Sequence, residues 1–253
     1  MNFDAVVVAG GRGSRLGGEP KPLLVHRGKT LLEHSLEALA EATRIAVVGP
    51  PELSAAVSRF AAAADPRQLI LLTREHPAFG GPAAAVAAGL HALAEDTGAA
   101  NASGESDDLE PEARGESPLT VVLAADLLDP GPAVAGVVAA ARSGFDAGSA
   151  WVPVDATGRL QPLSCAVATD ALRAAVGAAE AGSGGLAHSS MMLLLAKVHI
   201  VRLALDGIEF NDVDTWADAG RHGIGRPERN ERPADGTASG GTRGGTAGTG
   251  TVG

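Results

Sequence analysis

The chain has 253 residues, of which 45% are apolar and 3% aromatic, with no Tyr and a formal net charge of −10. That is enough apolar material for one large α/β domain or two small ones, and a core rich in Ala and Val suits closely stacked helices and buried strands. No basic stripe points to nucleic acid, and no apolar run approaches the ~20 residues that cross a bilayer, so neither nucleic acid nor membrane is expected as a partner.

Met1-Asn2-Phe3-Asp4 lacks the basic start and long apolar stretch of a signal peptide, and the cytoplasm is the expected compartment. Short apolar runs at 5–9, 45–48, 69–72 and 119–124 read as strands buried on both faces. Helices are expected between them. Thr30 and Glu33 have the spacing of a capping box for a helix to about Ala42. Pro51 suits the first turn of a helix to about Ala64, and a third helix is expected over 82–94.

Residues 96–118 are acidic and almost free of large apolar side chains; residues 95–118 together hold eight acids and one arginine. Such a segment buries too little surface to offset its ordering entropy, as does the Gly/Thr-rich tail 225–253, and both are expected to be disordered. After Asp126 a helix is expected over 132–142, with Asp129 suited to cap it. Strands follow at 150–154, 164–168 and 198–203, and helices at 170–179, 189–195 and 213–220. Strand–helix alternation of this kind predicts one α/β domain over 1–224, a single doubly wound, mostly parallel sheet with helices on both faces. Ligands in such sheets bind beyond the carboxyl ends of the strands.

The loop after the first strand carries the strongest signal: Val8-Ala9-Gly10-Gly11-Arg12-Gly13-Ser14-Arg15-Leu16-Gly17, then Lys21-Pro22-Leu23-Leu24. Glycines let backbone N–H groups converge on an anion without obstruction by Cβ. Arg12, Arg15 and Lys21 add positive charge against a triphosphate. The plainer alternative is a glycine-rich turn with solvated cations. Two other phosphate motifs are excluded: a dinucleotide fingerprint needs a glycine where Leu16 stands, and a Walker A motif ending in Gly28-Lys29-Thr30 needs one at Leu23. That tripeptide reads as a turn leading into a helix. Cys165 is the lone cysteine, which rules out an intramolecular disulfide and a Cys-based zinc site; it reads as a small core residue.

Ala9 to Gly17 followed by Lys21-Pro22-Leu23 resembles the signature of the NTP-transferase superfamily, and within it the chain is most similar to molybdenum cofactor guanylyltransferases of the MobA type. Gly80-Gly81-Pro82-Ala83-Ala84-Ala85, Ala125-Asp126-Leu127, Gln161-Pro162-Leu163 and Phe210-Asn211-Asp212-Val213-Asp214-Thr215 extend the likeness to about Ala219. The resemblance implies a Rossmann-like nucleotidyltransferase fold, GTP as donor, molybdopterin or a related phosphate acceptor, Mg²⁺ as cofactor and transient partners in cofactor delivery. It also implies roles. Val8, Ala9, Gly10, Gly11, Arg12, Gly13 and Lys21 would hold the nucleotide, Val8 and Ala9 through main-chain atoms. Lys21, Arg15 and Asp126 would be catalytic, and Asp126 would hold the metal, as a hard cation beside phosphates uses one or two carboxylates. Gln161-Pro162-Leu163 would shape the second-substrate pocket. Asp212 and Asp214 read equally as metal helpers or as a cap for the last helix.

The chain departs from the family pattern at His76, Leu128 and Met192, where an acid, a proline and an arginine are common. Cytidylyl or other nucleotidyl transfer, to molybdopterin or a sugar phosphate, is the nearest alternative. A non-catalytic nucleotide- or partner-binding paralogue is the alternative of another class.

Overall fold

The computed structural model describes residues 1–11, 16–102, 117–182, 184–205, 207–213 and 215–226, with residues 97–102 by backbone only. Arg12, Gly13, Ser14, Arg15 and Asp214 lie outside the described residues, as do most of the acidic segment and residues 227–253.

Strand β1 (Phe3–Val8) lies at the middle of the main sheet. It pairs in parallel with β4 (Arg44–Val48) on one side and β6 (Leu119–Ala124) on the other. Beyond β4 lies the edge strand β5 (Leu69–Thr73), also parallel. Beyond β6 lie β8 (Ser164–Ala168), β7 (Ser149–Val154) and β9 (His199–Ala204), giving seven strands in the order β5-β4-β1-β6-β8-β7-β9. Of these only β8 is reversed, antiparallel to both β6 and β7. The sheet is therefore mixed but mostly parallel, as expected. Side chains alternate along each strand. Ala5 and Val7 face a core shared with Leu36 of α1 (Leu31–Ala38), Val57 of α2 (Ser54–Ala63) and Val137 of α4 (Gly131–Ser143). Val6 faces the opposite layer, with Leu90 of α3 (Pro82–Ala102), Leu172 of α5 (Thr169–Glu180) and Leu194 of α6 (Met191–Leu195). Small side chains permit this stacking. A Cβ on Gly89 of α3 would come within 2.5 Å of Val6 Cγ1.

Four sequence expectations need correction. The run 69–72 is half-buried along its whole length, not buried on both faces, because β5 is a sheet edge. The helix expected to end at 94 continues to Ala102, taking in the first seven residues of the segment read as disordered. At the other end of that segment Ser117 is buried, its hydroxyl donating to Asp4 Oδ1 at 3.0 Å. Asp129 does not cap α4, whose preceding residue Pro130 makes no side-chain cap.

Other local readings hold. Thr30 and Glu33 form the capping box of α1, with Glu33 N donating to Thr30 Oγ1 at 3.1 Å and Thr30 N to Glu33 Oε2 at 2.7 Å. Gly28 (φ +82°) turns a short hairpin, β2 (Val25–His26) with β3 (Lys29–Thr30), that delivers the chain to this cap. At the amino ends of the strands a buried ion pair locks the layers. Arg44 reaches Asp4 through Nε at 3.2 Å and a second bond through Nη2, and its Nη1 donates to Leu93 O at 3.0 Å. No helix among the described residues is long and apolar enough to cross a membrane.

Candidate active site

The site gathers where β1, β4 and β6 end. Val8 O accepts from Ala125 N at 3.1 Å, and Ala9 N donates to Val48 O at 2.8 Å. Those two atoms continue the sheet, so the main-chain contacts expected of Val8 and Ala9 cannot come from them without competition. Donors for an anion therefore begin at Gly10 and Gly11, whose N–H groups make no backbone–backbone hydrogen bond to another described residue. A Cβ on Gly11 would meet nothing within 4 Å, whereas one on Gly10 would lie 3.4 Å from Glu75 Oε1. Glycine thus keeps the turn open on the side where a ligand would approach.

Lys21 follows Pro20 and opens a single 3-10 turn, Lys21–Leu23, packed beside β1's exit. Its ammonium is 3.4 Å from Asp126 Oδ2, with the two side chains 23% and 28% exposed. Asp126 stands two residues beyond β6. Burial in the cleft pushes its carboxyl above the ordinary aspartate value; Lys21 opposes that shift and Asp212 adds to it. Asp212 arrives through an isolated antiparallel bridge to Leu127, supported by Leu128 N donating to Asn211 O at 3.2 Å. Thr215, with Asp218, forms the capping box of α7 (Trp216–Arg221), so Asp212 is not that cap; it lies exposed, near enough to Asp126 for its charge to add to the raised pKa.

Val8, Gly10, Gly11 and Asp126 line both a narrow recess of about 40 Å³ beside Lys21 and Pro50 and a cavity of about 320 Å³ running toward α3. Leu163 lines the larger cavity, but Gln161 does not; its amide donates to Asp155 Oδ2 at 2.8 Å. Glu75 and Phe79 also line the cavity. Sequence reading assigned neither to the site. A signal was present for Glu75, which stands two residues past the end of β5 as Asp126 does past β6. A larger groove of about 500 Å³ lies outside α3 and includes Arg74, His76 and His91. It lacks the lysine and the glycine turn that the smaller cavities bring together with Asp126. Met192 lies exposed on α6 while Met191 is buried.

Among the described residues no three His, Cys, Asp or Glu side chains converge on one point. Asp126 and Asp212 supply hard oxygen donors from two neighbouring segments, and a cation would offset the burial and the neighbouring Asp212 charge that raise the Asp126 pKa. Two carboxylates completed by phosphate oxygens and water are the donor set that Mg²⁺ takes; zinc-type ligands are missing. The donors fit the metal expected from sequence.

Cys165 is fully buried in β8, and burial pushes its thiol up to about 12. Only the thiolate is nucleophilic, so alkylation by iodoacetamide at pH 8 is expected to be negligible in the native protein and complete in denaturant. Rapid native labelling would contradict this burial.

The MobA-like NTP transferase domain family matches residues 5–194, which spans the glycine turn, Lys21, Glu75, Asp126 and Leu163. The chain belongs to this family. A member of the MobA-like NTP transferase family is a nucleotidyltransferase with a nucleotide substrate. Solved structures agree on the fold. Molybdopterin-guanine dinucleotide biosynthesis protein A from Archaeoglobus fulgidus superposes with a TM-score of 0.55 at 19% identity, covering 87% of this chain and 96% of that one. The inositol-1-phosphate CTP transferase of T. maritima gives 0.58 at 13% identity, covering 85% and 90%. The 4-diphosphocytidyl-2C-methyl-D-erythritol synthase of Anaerococcus prevotii gives 0.56 at 12%, covering 88% and 96%. A comparison with curated proteins found no match.

Proposed function

We propose that the protein transfers GMP from MgGTP to the phosphate of molybdopterin, releasing pyrophosphate. The observation that carries the reading is the pairing of Lys21 with Asp126 in a recess walled by the glycine turn at the carboxyl ends of β1 and β6. In the proposed reaction an acceptor phosphate oxygen bonds to the α-phosphorus as the bond to the bridging oxygen breaks, and pyrophosphate leaves with the electron pair. No covalent enzyme intermediate is required, so positioning and electrostatics carry the rate. The N–H groups of Gly10 and Gly11 would orient the phosphates and Lys21 would neutralise their charge; Arg12 and Arg15, from the same motif, are proposed to add to it. Asp126, with Asp212, would hold Mg²⁺, which when bound supplies positive charge against the triphosphate.

The choice of GTP is supported by Glu75. Its carboxylate lines the cavity beside Gly10. The Watson–Crick edge of guanine presents two adjacent N–H donors, the pattern a carboxylate accepts. Cytidylyl transfer is the second reading, favoured by the fold-level likeness to two enzymes whose names specify cytidine chemistry. We place the reaction in the cytoplasm, where nucleoside triphosphates and Mg²⁺ are available together, with transient protein partners receiving the product. Pyrophosphate release should be measured with each of the four nucleoside triphosphates, with and without molybdopterin. GTP with molybdopterin is expected to be the most active pair. Preference for CTP in direct competition would select the second reading, and no release with any acceptor would leave a non-catalytic binder.

A further inference from the structure

The segment between β5 and α3 contains a backbone conformation that its residue does not favour. Phe79 has φ +61°, a genuine outlier for a bulky side chain. Glycine would adopt it without steric cost. Such conformations persist only where the surroundings over-determine them, and they collect at ligand clamps. Two neighbours hold Phe79 in place. Glu75, 7% exposed, accepts a hydrogen bond from Phe79 N through Oε1 at 2.9 Å. The Arg74 guanidinium lies 6.0 Å from the ring centroid. Despite these restraints the phenyl is 41% exposed.

The ring lines the 320 Å³ cavity, and the rest of that cavity's apolar lining is aliphatic. The main chain of Val8, Gly10 and Gly11 forms another wall of the same space, without side chains at the two glycines. A peptide wall and a phenyl ring bordering one cavity suit a flat heteroaromatic ring. We propose that Phe79 is the stacking face for the base of the donor nucleotide. The inference rests on the nucleotidyl-transfer reading and adds the residue that grips the base. It also gives the Glu75 carboxylate two tasks: it fixes the backbone that carries the ring, and it borders the space the base edge would enter. Stacking is tolerant of base identity because every base has a π-face, so Phe79 governs affinity and Glu75 governs preference.

The test compares Phe79→Gly with the parent in calorimetric titrations of GTP and of tripolyphosphate, which has no base. Phe79→Gly removes the ring and the backbone strain together, so two effects of opposite sense are expected. The thermal midpoint stays within about 2 °C of the parent or rises, while GTP affinity falls about tenfold. Tripolyphosphate affinity is unchanged. Phe79→Trp retains a stacking face and is expected to restore GTP binding to within about threefold, with indole fluorescence quenched on titration. Lys21→Ala serves as the contrasting arm and weakens both ligands. GTP binding equal to the parent in Phe79→Gly overturns the proposal, as does an equal loss for both ligands, which would mean collapse of the phosphate cradle. A loss confined to the KM of molybdopterin also overturns it, because the stacked ring would then be the pterin. In each of these cases Lys21-dependent GTP binding by the parent leaves the nucleotidyl-transfer reading standing. A parent that binds neither ligand overturns both.

Discussion

Asp126→Asn is expected to lower turnover by at least about 10²-fold, equivalent to about 2.7 kcal/mol of transition-state stabilisation. The substitution keeps the side chain's size and removes the charge that a hard cation requires. Metal-free nucleotide affinity is expected to change by less than about threefold or to improve, because a carboxylate facing a polyphosphate has been neutralised and its repulsion with Asp212 removed. The loss therefore falls on the transition state more than on ground-state binding. Lys21→Ala is expected to behave differently. It removes the ammonium 3.4 Å from Asp126 and leaves two carboxylates at the cradle without that counter-charge, so nucleotide affinity and rate fall together. The informative measurement is turnover and nucleotide affinity for both variants across a range of Mg²⁺ concentrations. Parent-like turnover by Asp126→Asn at limiting Mg²⁺ would show that Asp126 does not hold the metal.

Arg44→Met is expected to destabilise the fold by about 3–5 kcal/mol, the usual cost of removing one partner from a buried ion pair. Arg44 is 5% exposed and Asp4 2% exposed. Arg44 also satisfies Leu93 O in α3, and Asp4 accepts from Ser117 ahead of β6. The variant takes the guanidinium from a buried carboxylate and releases the Arg44 contacts to β1 and α3 at once. At about 2–4 °C per kcal/mol for a domain of this size, the thermal midpoint falls by roughly 10 °C. Pairing Arg44→Met with Asp4→Leu is expected to recover most of that loss, since an apolar pair of similar volume removes the stranded charge. Specific activity at a temperature where the variant is folded should match the parent, because the pair sits at the amino ends of the strands and the site at the carboxyl ends. An unchanged midpoint for Arg44→Met would show that the pair contributes nothing beyond an apolar contact.

Much of this protein was written locally in its sequence. Short apolar runs bounded by turn residues gave the strands, since a strand covered on both faces needs no polar alternation. The Thr30–Glu33 spacing gave a helix start, because a capping box is satisfied within four residues. Val8 to Leu24 gave the Gly10–Gly11 turn and Lys21 beside it for the same reason: glycine freedom and nearby charge are short-range properties. Asp126 was legible from its place just past a buried strand.

What the sequence left open depended on partners far along the chain. The reversed direction of β8 follows from its pairing with β6 and β7 and has no signature within Ser164–Ala168. The half-burial of β5 follows from its lying at an edge, which its composition does not announce. Asp212 could be separated from a capping role only once the bridge to Leu127 brought it to Asp126 across more than eighty residues, leaving the cap to Thr215. The pairing of Asp4 with Arg44, and the left-handed backbone that Glu75 imposes on Phe79 at the cavity wall, belong to the same class. A hydrogen bond or ion pair between distant residues is fixed by the packing of whole elements, so only the tertiary structure decided which carboxylates face the site, which hold the fold and which position an aromatic ring.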